Sequence, residues 1–251
     1  MNISTHGFGK GLMTFYSILA MMLCLASCQT DTIRRSDYAV EGIDVSHYQS
    51  TIDWDSLSMD SFQFIFMKAS EGLELKDSFF LRNWKNAKHA GLIRGAYHFF
   101  RPTLDSYTQF LNFSEHVRLD SGDLPPVLDI EVYDGVDRKD ILQRAKLWLQ
   151  LAESQYGVKP IIYTNQRFYH KVLKGHVDDY PLWIARYNEK NSPWLGMNNE
   201  WSFWQYGNKG FVHGIEGYVD LNVFRGTLEE LKTLCIEKES HLFTSTYQRN
   251  K

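Results

Sequence analysis

The chain has 251 residues, of which 43% are hydrophobic and 15% aromatic, and a net charge of −3. That length and apolar content suffice for one large domain with its own core, a size that α/β barrels reach as single domains. The slightly acidic balance argues against a nucleic-acid partner, which would favour a basic stripe.

The N-terminus reads as a targeting segment and not as fold. Lys10 precedes an apolar run from Leu12 to Ala26, and no acid occurs before Asp31. The run is short for a comfortable membrane span. Leu25-Ala26-Ser27-Cys28 resembles the lipobox of bacterial lipoproteins, where cleavage falls before the cysteine and its sulfur is lipidated. Residues 1–27 are therefore expected to be a lipoprotein signal peptide and Cys28 the lipidation site. The alternatives are a plain secretory signal or an uncleaved anchor. Several acyl chains on Cys28 would hold an exported protein firmly at a membrane of the cell envelope. Losing residues 1–27 removes one lysine and no acid, which moves the net charge from −3 to −4. Cys24 leaves with the signal and Cys28 is acylated, so only Cys235 remains and no intrachain disulfide can form. Residues 28–40 read as a polar tether, residues 41–236 as the folded domain, and residues 237–251 as a polar tail.

Within the domain, apolar and polar residues alternate in Gly42–Ser46, with Ile43 and Val45 on one face and Asp44 and Ser46 on the other. Gln63–Lys68 is a second strand, followed by a helix over Asp77–His89 with Gly91 at its C-terminus. Arg94–Phe99 is a third strand. A helix is expected over Asp105–Leu119, with Tyr107, Phe110, Leu111, Ser114 and Val117 on its apolar stripe. The fourth strand lies in Leu124–Val132, and the clearest helix follows over Asp137–Tyr156, with Ile141, Ala145, Trp148, Leu149 and Ala152 facing inward. Pro160–Thr164 is a fifth strand, with a short helix over Arg167–Leu173. Leu182–Arg186, Ser202–Tyr206 and Gly217–Asn222 are further strands whose connections lack helical periodicity. Thr227-Leu228-Glu229-Glu230 is a capping box that opens a last helix reaching about Ile236. That helix carries Cys235, read as a small buried hydrophobe.

Five β/α units followed by three nearly helix-free strands predict an α/β fold: an irregular, TIM-like barrel. In such barrels chemistry gathers at the C-terminal ends of the strands. Polar residues stand at those ends here: Asp44, Lys68, His98, Asp129, Glu131, Tyr163, Arg186, Gln205 and Asp220.

The fourth strand carries the sharpest signal. Strand alternation puts Val127, Asp129 and Glu131 on one face and the apolar Leu128, Ile130 and Val132 on the other. Two carboxyls in one cleft suit glycoside hydrolysis, in which one must be protonated and the other ionised. The alternative is an acid pair held structurally by Arg or Lys.

Taken in order, Gly42-Ile43-Asp44-Val45-Ser46, Lys68-Ala69-Ser70-Glu71-Gly72, Gly95-Ala96-Tyr97-His98-Phe99, Pro126-Val127-Leu128-Asp129-Ile130-Glu131, Tyr163-Thr164, Leu182-Trp183-Ile184-Ala185, Trp204-Gln205-Tyr206 and Val219-Asp220-Leu221-Asn222 resemble glycoside hydrolase family 25, the bacterial and phage lysozymes. The resemblance implies a flattened barrel of five β/α units and three further strands, and cleavage of peptidoglycan glycan strands at the β-1,4 bond between N-acetylmuramic acid and N-acetylglucosamine, with retention. It implies Glu131 as general acid/base and Asp129 as the partner carboxylate. That partner either attacks the anomeric carbon or assists the substrate's acetamido group. Asp44 and Asp220 match further acids of the cleft, and Tyr97, Tyr163, Trp183 and Gln205 match positions near the sugar. Ser70 departs from the family's frequent Thr but keeps the hydroxyl. A wall-binding lipoprotein without turnover and a chitinase-like hydrolase are the alternatives. Neither a cofactor nor a metal is expected, since no HExxH or paired-Cys spacing exists. The protein is expected to act as a monomer.

Overall fold

The computed structural model describes residues 37–187, 191–197 and 200–237. The expected signal peptide, Cys28, most of the tether and most of the tail lie outside these residues. Among the described residues no helix is long and apolar enough to cross a membrane.

Nine strands form one sheet: β1 (Val40–Val45), β2 (Phe64–Glu71), β3 (Leu75–Lys76), β4 (Ile93–Phe99), β5 (Val127–Asp129), β6 (Ile161–Asn165), β7 (Leu182–Ala185), β8 (Phe203–Gly210) and β9 (Val219–Phe224). Their order is β1-β9-β8-β7-β6-β5-β4-β2-β3, and a further pairing of β1 with β2 closes eight of them into a barrel. β3 is an extra strand, antiparallel to the end of β2. It was absent from the sequence reading because two residues are too few to show a period. The seven strands other than β9 run parallel around the barrel, while β9 is antiparallel to both neighbours. That reversal explains why no long helix joins β8 to β9: antiparallel neighbours need no crossover.

The outer layer is helical: α1 (Trp54–Leu57), α2 (Phe80–His89), α3 (Ser106–His116), α4 (Arg138–Tyr156), α5 (Gln166–Phe168) running into a π turn, and α6 (Leu228–Leu234). The α4 stripe is buried as expected, and Gly157 caps it in the left-handed region at φ 71°. The Thr227/Glu230 capping box opens α6, and Cys235 is buried just past its end. The α3 stripe is a correction. Tyr107 is exposed, and the buried face is centred on Phe110 and Phe113 together with Gln109 and Asn112. These two amides point inward because they satisfy loop carbonyls. Gln109 Nε2 donates to Arg101 O at 3.0 Å, and Asn112 Nδ2 donates to Gly72 O at 3.0 Å. A polarity pattern reads such residues as outward-facing.

Two apolar clusters result. One lies between sheet and helices and includes Ile43, Ile65, Leu128, Ile130, Ile162, Trp148 and Trp204. The other fills the barrel: Val40, Phe64, Phe66, Val127, Ile161, Trp183, Phe203 and Phe224. Inside, Phe66 stacks on Trp183 with ring centroids 4.2 Å apart. Gly42 and Gly95 make room for this filling, since a Cβ at either would come within 2.5 Å of the Phe64 or Phe66 ring.

Candidate active site

Above the aromatic filling, the inward-facing positions at the C-terminal strand ends turn polar. Asp44, Lys68, Tyr97, Asp129, Tyr163, Trp183, Gln205 and Asp220 line one cavity of about 260 Å³, together with Glu131. All eight residues that the sequence placed in the site thus meet in one groove, with Lys68 added. Alternation sets this up. Asp44 sits two residues after Gly42, and Asp129 two after Val127, on the barrel-facing parity of their strands.

The strand register pairs Asp44 with Asp220 across β1 and β9. Asp44 Oδ2 accepts from Gln205 Nε2 and from Asn222 Nδ2, each at 2.7 Å. Asn222 Oδ1 in turn accepts from Trp183 Nε1 at 2.8 Å, so Trp183 forms the floor. Gln205 is a hub: its Oε1 accepts from the hydroxyls of Tyr163 at 2.7 Å and Tyr187 at 2.6 Å. Those two donors fix which end of the amide points at the acids. Lys68 Nζ pairs with Glu71 Oε2 at 2.6 Å, a short charge-assisted hydrogen bond.

β5 ends at Asp129, so Glu131 stands on the segment just beyond it, in a less buried position. Asp129 is 6% exposed, and its Oδ1 has no hydrogen-bond partner among the described residues. Burial holds the Asp129 carboxyl well above the usual carboxylate range. The charge of Glu131 adds to this, and Lys68 opposes it. Burial also raises Glu131, against a hydrogen bond with Asn165 that lowers it. Burial pushes Asp220 up to about 8 and Asp44 up to about 6, and hydrogen bonds from Asn222 and Gln205 restrain Asp44. Two carboxyls this close favour sharing a proton over both ionising.

Two strand-end residues are not brought to the groove. His98 faces the helical layer, bonded to Ser70 Oγ at 2.8 Å and stacked on Trp148, and burial drops its pKa to about 3. It is a neutral core residue. The Arg186 side chain donates to Ser192 O at 2.8 Å and belongs to the β7–β8 connection. Strand alternation accounts for His98, because it lies one residue from Tyr97 and so on the opposite face.

A chain that closes a barrel around four carboxyls can protonate a leaving oxygen and stabilise the cation left behind. The profile of glycosyl hydrolases family 25 matches residues 43–215, from β1 to the β8–β9 connection. The chain belongs to glycosyl hydrolases family 25. It is a glycoside hydrolase. Lysozyme M1 of Streptomyces globisporus is 34% identical over 208 residues, covering 78% of this chain and 71% of that one. The Escherichia coli (strain K12) protein YegX is 42% identical over 202 residues, covering 78% and 74%. The crystal structure of the bacterial lysozyme from Streptomyces coelicolor superposes with a TM-score of 0.73 at 32% identity, covering 78% of this chain and 96% of that one.

The sequence reading of this family 25 site left out Phe99 and Tyr187, which also line the groove, and Asn165, which meets Glu131. One signal would have found all three. Each continues the inward parity of its strand by one more step: Tyr97 to Phe99, Tyr163 to Asn165, Trp183 and Ala185 to Tyr187. Among the described residues no group of three or more His, Cys, Asp or Glu is arranged to hold a metal ion.

Proposed function

We propose that this enzyme is a muramidase, which hydrolyses the β-1,4 bond between N-acetylmuramic acid and N-acetylglucosamine in peptidoglycan with retention of configuration. The carrying observation is the convergence of Asp129 and Glu131 with Asp44 and Asp220 in a single groove. The names of the relatives, a lysozyme from Streptomyces globisporus and another from Streptomyces coelicolor, support the substrate class.

Glu131 is the general acid. It stands nearer the solvent, where the leaving oxygen of a bound strand would pass. Burial by itself favours a proton on Asp129, the deeper of the two acids. Substrate reverses this order. A sugar chain excludes water from Glu131 and raises it further, while a donor reaching Asp129 Oδ1 stabilises its ionised form. The acetamido N–H of the sugar is such a donor. The unpartnered Oδ1 therefore favours the substrate-assisted route. Glu131 protonates the glycosidic oxygen as its bond to C1 breaks, and the acetamido oxygen closes on C1. Water then opens that ring, giving its proton to Glu131. Asp44 and Asp220 add negative potential beside the cationic centre. Tyr97, Tyr163, Trp183 and Gln205 shape the floor and hold the acids.

The decisive experiment is digestion of purified peptidoglycan by the wild type and Glu131→Gln, with product ends identified by mass spectrometry. Muropeptides ending in reducing N-acetylmuramic acid, lost in the variant, are expected. Reducing N-acetylglucosamine ends, or identical products from both proteins, would overturn the reading.

The lipobox-like Leu25–Cys28 supports placement on a membrane of the cell envelope through Cys28. Cys28→Ala is then expected to move the protein from the membrane fraction to the soluble fraction. Unchanged partition would remove the anchor from the proposal.

A further inference from the structure

The β8–β9 connection, residues 211–218, is pinned to the barrel yet leaves large rings in solvent. Val212 and Ile215 are buried in the outer core. Asp53 N donates to Gly214 O at 2.8 Å. His213 N donates to Asp60 Oδ2 at 2.7 Å, and its Nδ1 lies 2.8 Å from Asp60 Oδ1. Gly214 sits in the left-handed region at φ 81°, and a Cβ there would collide with Asp53 O. A loop so restrained has little freedom to tuck its remaining side chains away. Phe211 is nevertheless 66% exposed and Tyr218 is 55% exposed. Their rings pair edge to face with centroids 5.1 Å apart.

The backbone beneath this ring pair meets the edge of the groove. Tyr218 lies two residues before Asp220. Gln49, which lines the groove, donates from Nε2 to Tyr218 O at 3.1 Å. The adjacent Tyr48 also lines the groove and is 80% exposed. Three exposed rings at the edge of the cleft suit an extended ligand with apolar faces. The C–H faces of pyranose rings have that character.

We propose that Tyr48, Phe211 and Tyr218 form an aromatic shelf that holds sugar units of the glycan strand beyond those over the carboxyl pair. This rests on the muramidase reading and makes the enzyme selective for long strands. The shelf adds affinity and no chemistry, so its loss acts on KM and not on kcat.

The test compares peptide-free long glycan strands with a tetrasaccharide of the same repeat, using wild type, Phe211→Ala/Tyr218→Ala and the ring-keeping Phe211→Trp/Tyr218→Phe. For the alanine pair, KM on long strands is expected to rise about tenfold, the size of one or two lost ring contacts. Its kcat on long strands and both of its constants on the tetrasaccharide should stay unchanged. The ring-keeping pair should behave as wild type. Equal losses on both substrates, or no change on either, overturn the shelf while wild-type cleavage stands. A wild type inactive on both substrates overturns the muramidase reading and the shelf with it.

Discussion

Asp44 and Asp220 face each other across the antiparallel pairing of β1 and β9, and Gln205 donates to both carboxyls. Two acids so placed cannot both ionise cheaply.

The first prediction follows from that pair. Both folded-state values, about 6 for Asp44 and about 8 for Asp220, lie above the ordinary 3.8. The native state therefore keeps protons that the unfolded chain has released, so stability falls as pH rises from about 4 through about 8. Asp220→Asn never ionises and still offers Asp44 a donor. It is expected to match wild type at pH 4 and to exceed it at pH 8.5 by about 2 kcal/mol, or roughly 5 °C in melting midpoint. Thermal denaturation at the two pH values checks this, and a variant less stable than wild type at pH 8.5 would refute it.

A second prediction concerns the acidic limb of the activity profile. Four charged groups act most strongly on Asp129: Glu131, Asp44 and Glu71 raise it, and Lys68 lowers it. Lys68→Met removes the only cation of the four, so Asp129 ionises at higher pH. The acidic limb of kcat/KM should move to higher pH. Glu71→Gln removes a raising charge and should move the limb down. Shifts of the same sign in both variants would show that Asp129 does not govern that limb.

How much of this was legible in the sequence depends on the kind of signal. Strand parity set Asp44 apart from Ile43 and Val45, and Asp129 apart from Leu128 and Ile130, because a period of two is unforgiving; Tyr163 and Gln205 came from their places at strand ends and from the family resemblance. The same rule, applied one residue further, separates His98 from Tyr97. What parity could not supply is which residues end up adjacent. The Gln205 hub joins side chains 161, 42 and 18 positions away, and only barrel closure brings them together. The inward amides of α3 were hidden for another reason. They serve backbone carbonyls of loops whose course the local pattern does not fix. β5 also proved shorter than its apolar run, which leaves Glu131 on the segment beyond the strand instead of within it.

A third prediction tests the packing beneath the site. Gly95→Ala would place a methyl 2.5 Å from the Phe66 ring and 3.3 Å from Leu124 Cβ. Phe66 is stacked on Trp183 and cannot retreat without moving the floor of the groove. A loss of about 1–3 kcal/mol is expected, in line with other overpacked cores. Because Trp183 also holds Asn222, kcat should fall together with stability. Urea denaturation followed by assay of the folded fraction checks both, and an unperturbed protein would mean that the floor is softer than its rings indicate.

The last prediction lies at the opposite end of the barrel. Arg94 is 4% exposed and grips Asp123 with Nε to Oδ1 at 2.7 Å and Nη2 to Oδ2 at 3.0 Å. Its Nη1 donates to Trp84 O at 2.8 Å, and its guanidinium lies 4.1 Å from the Trp84 ring centroid. This fork ties the start of β4 to the segment before β5, where Leu124 N also donates to Arg94 O at 2.9 Å. Asp123→Ala would leave the buried guanidinium only the exposed carboxylate of Asp120, 3.1 Å from Nη2, at an expected cost of about 3 kcal/mol. Arg94→Met/Asp123→Leu removes both charges and should cost much less, because the penalty comes from the orphaned partner and not from the missing attraction. Neither residue lines the groove, so kcat of the folded protein should not change in either variant. Equal destabilisation by the single and the double variant would instead assign the effect to packing.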